Sequence, residues 1–191
     1  IKENNELKEE LNNLRLTKLD YENLLKENED LKEQFGRETS SSKIITNILS
    51  KPPQSPYDTF ILDAGSELGV SVGDMVYISD TLLMGVISNV TSNSSIVTLF
   101  SNGGQENEVI SSRTGSSFVI IGDGGSNFEL EVPKETDILW GDVFTYPSAR
   151  NSVLATVYYV DSNSQSSFKT VHLKFPSNIF QTKRVFILKG N

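Results

Sequence analysis

The order of apolar and polar residues divides the chain into a helical segment and a long series of strands. In residues 1–38, apolar side chains recur at spacings of three and four, and no glycine or proline occurs before Gly36. This spacing places the apolar residues on one face of a helix, and the absence of breakers lets the helical hydrogen bonds continue. We therefore predict a helical stalk over residues 1–38. If it is fully helical to Phe35, the helix is roughly 50 Å long at about 1.5 Å per residue.

The apolar face of the predicted stalk is narrow. A stripe of this width cannot bury itself and needs a partner helix, as in a coiled coil. Lys18 and Asn28 interrupt it. We predict a homodimer through the stalk, with an interface formed by Leu7, Leu11, Leu14, Tyr21, Leu25 and Leu31. The alternative is a single helix that packs on its own β domain or frays in isolation. Gly36 and the small polar residues up to residue 42 predict a short hinge.

Beyond residue 42, short runs rich in β-branched and aromatic residues alternate with turn sequences, which is typical of strands. We predict strands at 43–50, 59–64, 75–79, 82–91, 96–100 and 106–112, and again at 118–121, 128–132, 143–146, 153–161, 168–175 and 185–188. The expected fold is mainly β: an N-terminal coiled-coil helix followed by two small six-stranded β-barrel or sandwich domains, at 43–112 and 113–191.

The two β segments share an ordered pattern. Gly73-Asp74 and Gly141-Asp142 lie 68 residues apart, and each pair precedes a short strand, a long strand, an Asn/Ser turn and a strand that ends near a phenylalanine. We interpret this order as an internal duplication. A repeated β module favours a scaffold or a binding surface over a single catalytic cleft.

Composition narrows the chemistry. The formal net charge is -8, which argues against general affinity for nucleic acid or anionic lipid. The chain has no cysteine and one histidine, which excludes disulfides, thiolate chemistry and any site built from several histidines. We expect no cofactor and no metal.

Three patterns could be mistaken for sites. The glycines at 65, 69 and 73 resemble a phosphate loop, but a strand follows them and the nearby charges are acidic, so turn geometry explains them better. His172 and the pair Glu129 and Glu131 lie on predicted wet faces of strands, and no nucleophile motif accompanies them. Asp123 alone among glycines supplies too few oxygen ligands for Ca²⁺.

Five aromatic residues could anchor a protein partner if they are exposed. They are Tyr57, Trp140, Tyr146, Tyr158 and Tyr159. We expect most of them to lie in the core.

Residues 43–110 resemble MreC, the rod shape-determining protein family of bacteria. The resemblance rests on KPPQSPYDTFILDAGSELGVSVGDMVY followed by LLMGVISNVTSNSSIVTLFSN. Matching positions are Gly65-Ser66, Gly69-Val70, Gly73, Gly85-Val86 and Ser94-Ser95. The segment VPKETDILWGDVFTYPS resembles the part of the family's second domain that leads to a Gly-Asp strand, and the preceding helix fits the family layout.

The resemblance implies a non-enzymatic scaffold of cell-wall elongation on the extracytoplasmic, periplasmic face of the bacterial inner membrane. Such proteins resemble one another in self-association and in contacting penicillin-binding proteins and MreD. No apolar run approaches the roughly 20 residues that span a bilayer. Position 1 is Ile rather than Met, so we expect the natural N-terminus to be missing, and the resemblance implies that it holds a single membrane helix. The alternatives are a periplasmic adaptor subunit of a transport system and a β-barrel hydrolase that uses His172.

Overall fold

The computed structural model describes residues 2–34, 43–51, 58–149, 151–161 and 166–189. The chain forms two compact units, Ile1–Ser41 and Ser42–Asn191, and each is described by itself. The first unit contains one helix, α1, which runs from Lys2 to Gln34 and confirms the predicted helical segment. The predicted hinge at 36–42 lies outside the described residues.

The second unit contains twelve strands among its described residues, at the places that the sequence pattern predicts. They are β1 Lys43–Ser50, β2 Thr59–Leu62, β3 Met75–Ser79, β4 Leu82–Val90, β5 Ser95–Leu99, β6 Glu106–Ser111, β7 Ser117–Gly124, β8 Asn127–Pro133, β9 Val143–Tyr146, β10 Ser152–Asp161, β11 Phe168–Lys174 and β12 Arg184–Leu188. Short 3₁₀ turns occupy Ser66–Leu68 and Pro147–Ala149.

The strands close into two six-stranded rings. The ring that we call the first barrel has the order β1, β2, β5, β4, β3 and β12, and β12 returns to β1. The ring that we call the second barrel has the order β6, β7, β8, β11, β10 and β9, and β9 returns to β6. Closure leaves no open edge for another chain to extend. The predicted fold class is therefore confirmed.

The membership of two strands differs from the prediction. The expected boundary between residues 112 and 113 placed β6 in the first β domain and β12 in the second, but β6 pairs with β7 and β9, and β12 pairs with β1 and β3. The reason is long-range register: Ile187 lies opposite Ile44. Ile187 is buried in the core, and Ile44 is partly buried and packs against it. The second barrel is therefore one continuous segment inserted into the first. The division of the β part of the chain into two domains stays a prediction, because Ser42–Asn191 forms one compact unit.

Each barrel is filled by the inward side of its strands. In β8, Phe128, Leu130 and Val132 are buried while Glu129 and Glu131 are exposed, which confirms the predicted alternation. The first barrel buries Phe60, Leu62, Leu83, Ile87, Val97, Leu99, Val185 and Ile187, and the second buries Val109, Ile120, Phe128, Phe144, Leu154, Val171 and Leu173.

The two barrels are joined by a polar clasp around Asp58. The Oδ2 atom of Asp58 accepts hydrogen bonds from the Gly125 amide (2.6 Å) and the Ser101 hydroxyl (3.2 Å). The Gly124 amide donates to the Ser101 carbonyl (2.7 Å). A second contact is a parallel bridge between β4 and β10, where the Val153 amide donates to the Thr81 carbonyl (2.7 Å).

Gly85 of β4 lies close against the backbone of β5. A Cβ atom at this position would lie 2.4 Å from the Thr98 carbonyl oxygen and 2.8 Å from Val97 Cγ1. The β3–β4 register also shifts beside Gly85, which agrees with the bulge that a strand glycine predicts. Only a residue without a side chain fits without moving the β5 backbone.

We expect Gly85→Ala to destabilise the protein by about 1–3 kcal/mol, the usual cost of forcing an extra carbon into a packed site. The matched control is Gly103→Ala, because a Cβ at Gly103 meets no atom within 4 Å. Urea unfolding followed by circular dichroism measures both. Equal stability of the two variants would contradict the close β4–β5 approach.

Candidate interaction surfaces

The helix α1 presents a stripe of uncovered apolar side chains. Leu7, Leu11, Leu14 and Tyr21 are exposed, and at about 100° per residue they lie within roughly 80° of arc. These four predicted interface residues therefore share one face. The side chains of Leu25 and Leu31, which complete the predicted interface, lie outside the described residues.

The two Gly-Asp elements form the same turn. In each, the aspartate carboxylate accepts a hydrogen bond from the amide three residues earlier, at 2.8 Å for Asp74 and 2.9 Å for Asp142. In each, the glycine has a positive φ, 92° for Gly73 and 85° for Gly141, which suits a residue without a side chain. The long strand of each barrel then exchanges two backbone hydrogen bonds with this element. The repeat seen in the sequence therefore has a counterpart in backbone geometry.

In the second barrel, Arg113 adds a fork of charge-assisted hydrogen bonds to this turn. Its Nε and Nη2 atoms donate to the two oxygens of Asp142 at 2.8 and 2.9 Å, and its Nη1 atom donates to Asp137 Oδ2 at 2.7 Å. The Arg113 hydrogen bond holds the pKa of the buried Asp142 carboxyl below its usual value, and Asp142 in turn raises the pKa of Arg113. This bidentate geometry fixes the turn.

The fixed turn presents two apolar side chains to solvent. Leu139 is exposed and Trp140 is 79% exposed, the largest exposure of any large apolar residue in the described part of the chain. Val72 holds the equivalent place in the first barrel and is also exposed. Exposed tryptophan on a rigid element is a common anchor of protein interfaces.

The expectation that most of the five aromatic residues are buried was wrong. Trp140, Tyr158 and Tyr159 are exposed. Tyr146 packs partly buried against Phe100, with ring centroids 4.9 Å apart, and Tyr57 lies outside the described residues. Strand alternation was the available signal for the tyrosines, but a register shift in β10 between Val157 and Tyr159 turns both of them outward.

The glycine-rich loop before β3 uses its amides within the protein. The Ser66 amide donates to the Thr91 carbonyl (2.9 Å) and the Glu67 amide donates to the Ser92 carbonyl (3.1 Å). A Cβ at Gly65 would lie 2.3 Å from the Thr91 oxygen. A glycine is needed at position 65 because the Thr91 backbone lies too close for a side chain. The Ser66 and Glu67 amides are already hydrogen-bonded within the protein, so they cannot bind a phosphate.

His172 lies among rings and a carboxylate on the outside of the second barrel. Its Nδ1 atom is 3.4 Å from Glu129 Oε1, and the Tyr159 ring stacks on it with centroids 5.7 Å apart. Within the described residues, no hydrogen bond joins His172 to a serine, and no group of three or more acidic or histidine side chains has the geometry of a metal site. In the part of the chain that the structure describes, the constellation that a hydrolase needs is not assembled around this histidine.

A further apolar surface lies on β1. Ile45 and Leu49 point outward and are exposed. Beside them is a cavity of about 340 Å³ lined by residues 47–51, 182 and 183. The Lys51 ammonium group on its rim donates to the carbonyl oxygens of Phe180 and Thr182. The β-branched composition of this strand predicted its secondary structure but not its exposed outer side.

A family model described as rod shape-determining protein MreC, barrel core, matches residues 48–189. No curated protein sequence matches the chain.

Solved structures of MreC proteins have the same fold as this chain. The crystal structure of MreC from Pseudomonas aeruginosa is similar with a TM-score of 0.69 and 21% identity, over 78% of this chain and 99% of that chain. MreC from Listeria monocytogenes is similar with a TM-score of 0.74 and 22% identity, over 98% of this chain and 96% of that chain. A chain from a complex between penicillin-binding protein PBP2 and MreC from Helicobacter pylori has a TM-score of 0.50 and 11% identity, over 78% of this chain and 99% of that chain.

We expect Asp142→Asn to lower the free energy of unfolding at pH 7 by about 1.5–3 kcal/mol, the range for hydrogen bonds to charged groups. Because the folded-state pKa of Asp142 is lowered, its contribution is complete above the unfolded-state pKa of about 3.9 and is lost as the pH falls through the folded-state pKa. The difference between wild type and variant should therefore shrink in acid. Urea unfolding from pH 7 to pH 3 measures it.

Asp137→Asn is the matched control, because the Asp137 carboxylate is mostly exposed and exposed ion pairs contribute about 0–1 kcal/mol. A difference for Asp142→Asn that stays constant with pH would contradict an ionised Asp142 as the partner of Arg113.

Proposed function

The chain belongs to the MreC family of rod shape-determining proteins, since the family model covers residues 48–189, and we propose that it acts as a scaffold of the machinery that elongates the bacterial cell wall. The observation that carries the proposal is that this match extends across both barrels. As a member of a shape-determining family, the chain is a structural protein and not an enzyme.

The proposed partners are penicillin-binding proteins and MreD-type membrane proteins. The Helicobacter pylori structure, a complex of a penicillin-binding protein with MreC, supports the first. The family resemblance supports the second. The exposed side chains of the fixed turn, Leu139 and Trp140, are the kind of surface that protein partners bind.

We further propose that the scaffold self-associates through α1. The exposed stripe of Leu7, Leu11, Leu14 and Tyr21 supports this, because a second helix would bury it. Leu25 and Leu31 would extend the interface toward the end of the helix.

We place the protein on the extracytoplasmic side of the inner membrane, anchored by a single helix N-terminal to this sequence. A similar structure is described as the major periplasmic domain of the cell shape-determining filament MreC. Among the described residues, no helix is both long and apolar enough to cross a bilayer. A transport adaptor usually has a helical hairpin flanked by β segments, whereas the one α-helix of the described residues precedes every strand.

If α1 forms the dimer interface, lysine substitutions on its apolar stripe should prevent dimerisation. We expect the wild-type chain to have a mass near twice its 21.2 kDa in light scattering, and Leu11→Lys with Leu14→Lys to be monomeric, because two ammonium groups would face the partner helix.

The matched control is Leu16→Lys with Leu19→Lys. These leucines are equally exposed, but they lie roughly 120° or more from Leu7 around the helix. Loss of the dimer in both double variants, or in neither, would contradict an interface on the Leu7–Tyr21 stripe.

A complementation experiment tests the scaffold role in the bacterium that encodes the protein. Depletion of the protein is expected to change cell width, and the wild-type gene and the Leu16/Leu19 variant are expected to restore it. Unchanged cell width after depletion would contradict the proposed function.

A further inference from the structure

One row of side chains crosses the outer surface of the second barrel. Its members lie directly opposite one another on five successive strands: Glu106, Ile121, Glu129, His172 and Tyr159. At about 4.8 Å between neighbouring strands the row spans roughly 19 Å. Tyr158 lies beside its end because of the register shift in β10. We call these six residues the acidic–aromatic face.

The aromatic end of this face is held in place by its own contacts. The Tyr159 ring stacks on His172 at 5.7 Å and 27°, and the Tyr158 ring lies 6.3 Å from His172. The Lys174 ammonium group lies 5.6 Å from the centre of the Tyr158 ring. Even so, Tyr159 remains 54% exposed and Tyr158 40% exposed. Tyrosines fixed in this way offer a large contact area at little entropic cost.

The first barrel provides an internal control for what the fold itself requires. Its long strand β4 has the same register shift, between Ile87 and Asn89, where β10 has one between Val157 and Tyr159. The equivalent row runs through Asn89, Ile96, Ile61 and Ser50, and Ser88 corresponds to Tyr158. The first barrel therefore forms the same backbone geometry with small polar and aliphatic residues along this row. The fold does not call for paired tyrosines, a histidine and glutamates at these places.

The charges around the face define the chemistry of its partner. Ile121 and Val119 are exposed on β7, and the neighbouring strands β6 and β8 present exposed glutamates on both sides of them, which are Glu106, Glu108, Glu129 and Glu131. A partner segment with an apolar side chain between lysines or arginines is complementary to this arrangement.

We propose that the acidic–aromatic face is the docking surface for a basic, apolar-centred segment of a penicillin-binding protein. The proposal rests on the proposed function, and it assigns the contact to strands β6, β7, β8, β10 and β11 rather than to the first barrel.

The first test replaces the aromatic end with the residues of the first barrel. Tyr158→Ser with Tyr159→Asn keeps the backbone geometry, since Ser88 and Asn89 occupy the same register shift in β4. Ile96→Thr, at the position equivalent to His172, is the control. The probes are the purified extracytoplasmic parts of the penicillin-binding proteins of the same bacterium, with affinity measured by biolayer interferometry. We expect the double variant to lose at least tenfold in affinity and the control to stay within twofold.

The second test changes charge. Glu106→Lys with Glu129→Lys is expected to weaken binding at least tenfold and to reduce its salt dependence between about 50 mM and 300 mM. Asp63→Lys with Glu67→Lys makes the same change of net charge at exposed positions of the first barrel and is expected to retain affinity. Thermal unfolding of each variant verifies that it is folded.

The outcomes separate the two proposals. If the wild-type chain binds none of these penicillin-binding proteins, the proposed partnership fails, and this inference fails with it. If the wild-type chain binds and both face variants remain within twofold of it, only the docking surface is overturned. If the first-barrel controls lose affinity as much as the face variants do, the assignment to the second barrel is wrong.

Discussion

The antiparallel pairing of β12 with β1 and β3 is the interaction on which the rest of the β unit depends. Five residue pairs join β12 to β1 and three join it to β3, so the strand fills the gap that would otherwise open the first barrel. Without it, β1 and β3 would both present unpaired backbone edges. Strands β6 to β11 lie between β5 and β12 along the chain. The chain therefore connects the second barrel to the first at two points, between β5 and β6 and between β11 and β12. Asp58 adds a third connection through Ser101 and Gly125.

The two barrels show how one backbone frame supports different surfaces. The Gly-Asp turn is the same in both, yet it presents Val72 in the first barrel and Trp140 in the second. The second barrel also adds Arg113, which ties the turn to Asp142 and Asp137. The hydrogen bonds of the turn come from the backbone and one aspartate. The turn therefore does not need the side chain at its tip, which is available to contact a partner. This arrangement suits a scaffold protein, because the same backbone geometry can carry different partner-contacting side chains.

Much of this fold follows from local sequence pattern. The alternation of Phe128, Leu130 and Val132 with glutamates predicts both the strand β8 and its buried side, because these depend only on neighbouring residues. The partner of β12 does not follow, since Val185 and Ile187 would fill either barrel equally well by composition. The register shift that exposes Tyr158 is likewise a property of paired strands. The stripe on α1 was predicted from spacing, whereas the fork of Arg113 on Asp142 joins residues 29 positions apart and had no local signal.

The central claim is that the second barrel is a continuous insertion and that β12 alone closes the first. Hydrogen exchange of the chain truncated after Lys183, followed by mass spectrometry, tests this most directly, with the full chain as reference. The account predicts loss of protection in β1 and β3, which lose their partner, and retained protection across β6 to β11. Unchanged protection in β1 and β3, or loss of protection mainly in β8 and β11, would contradict it.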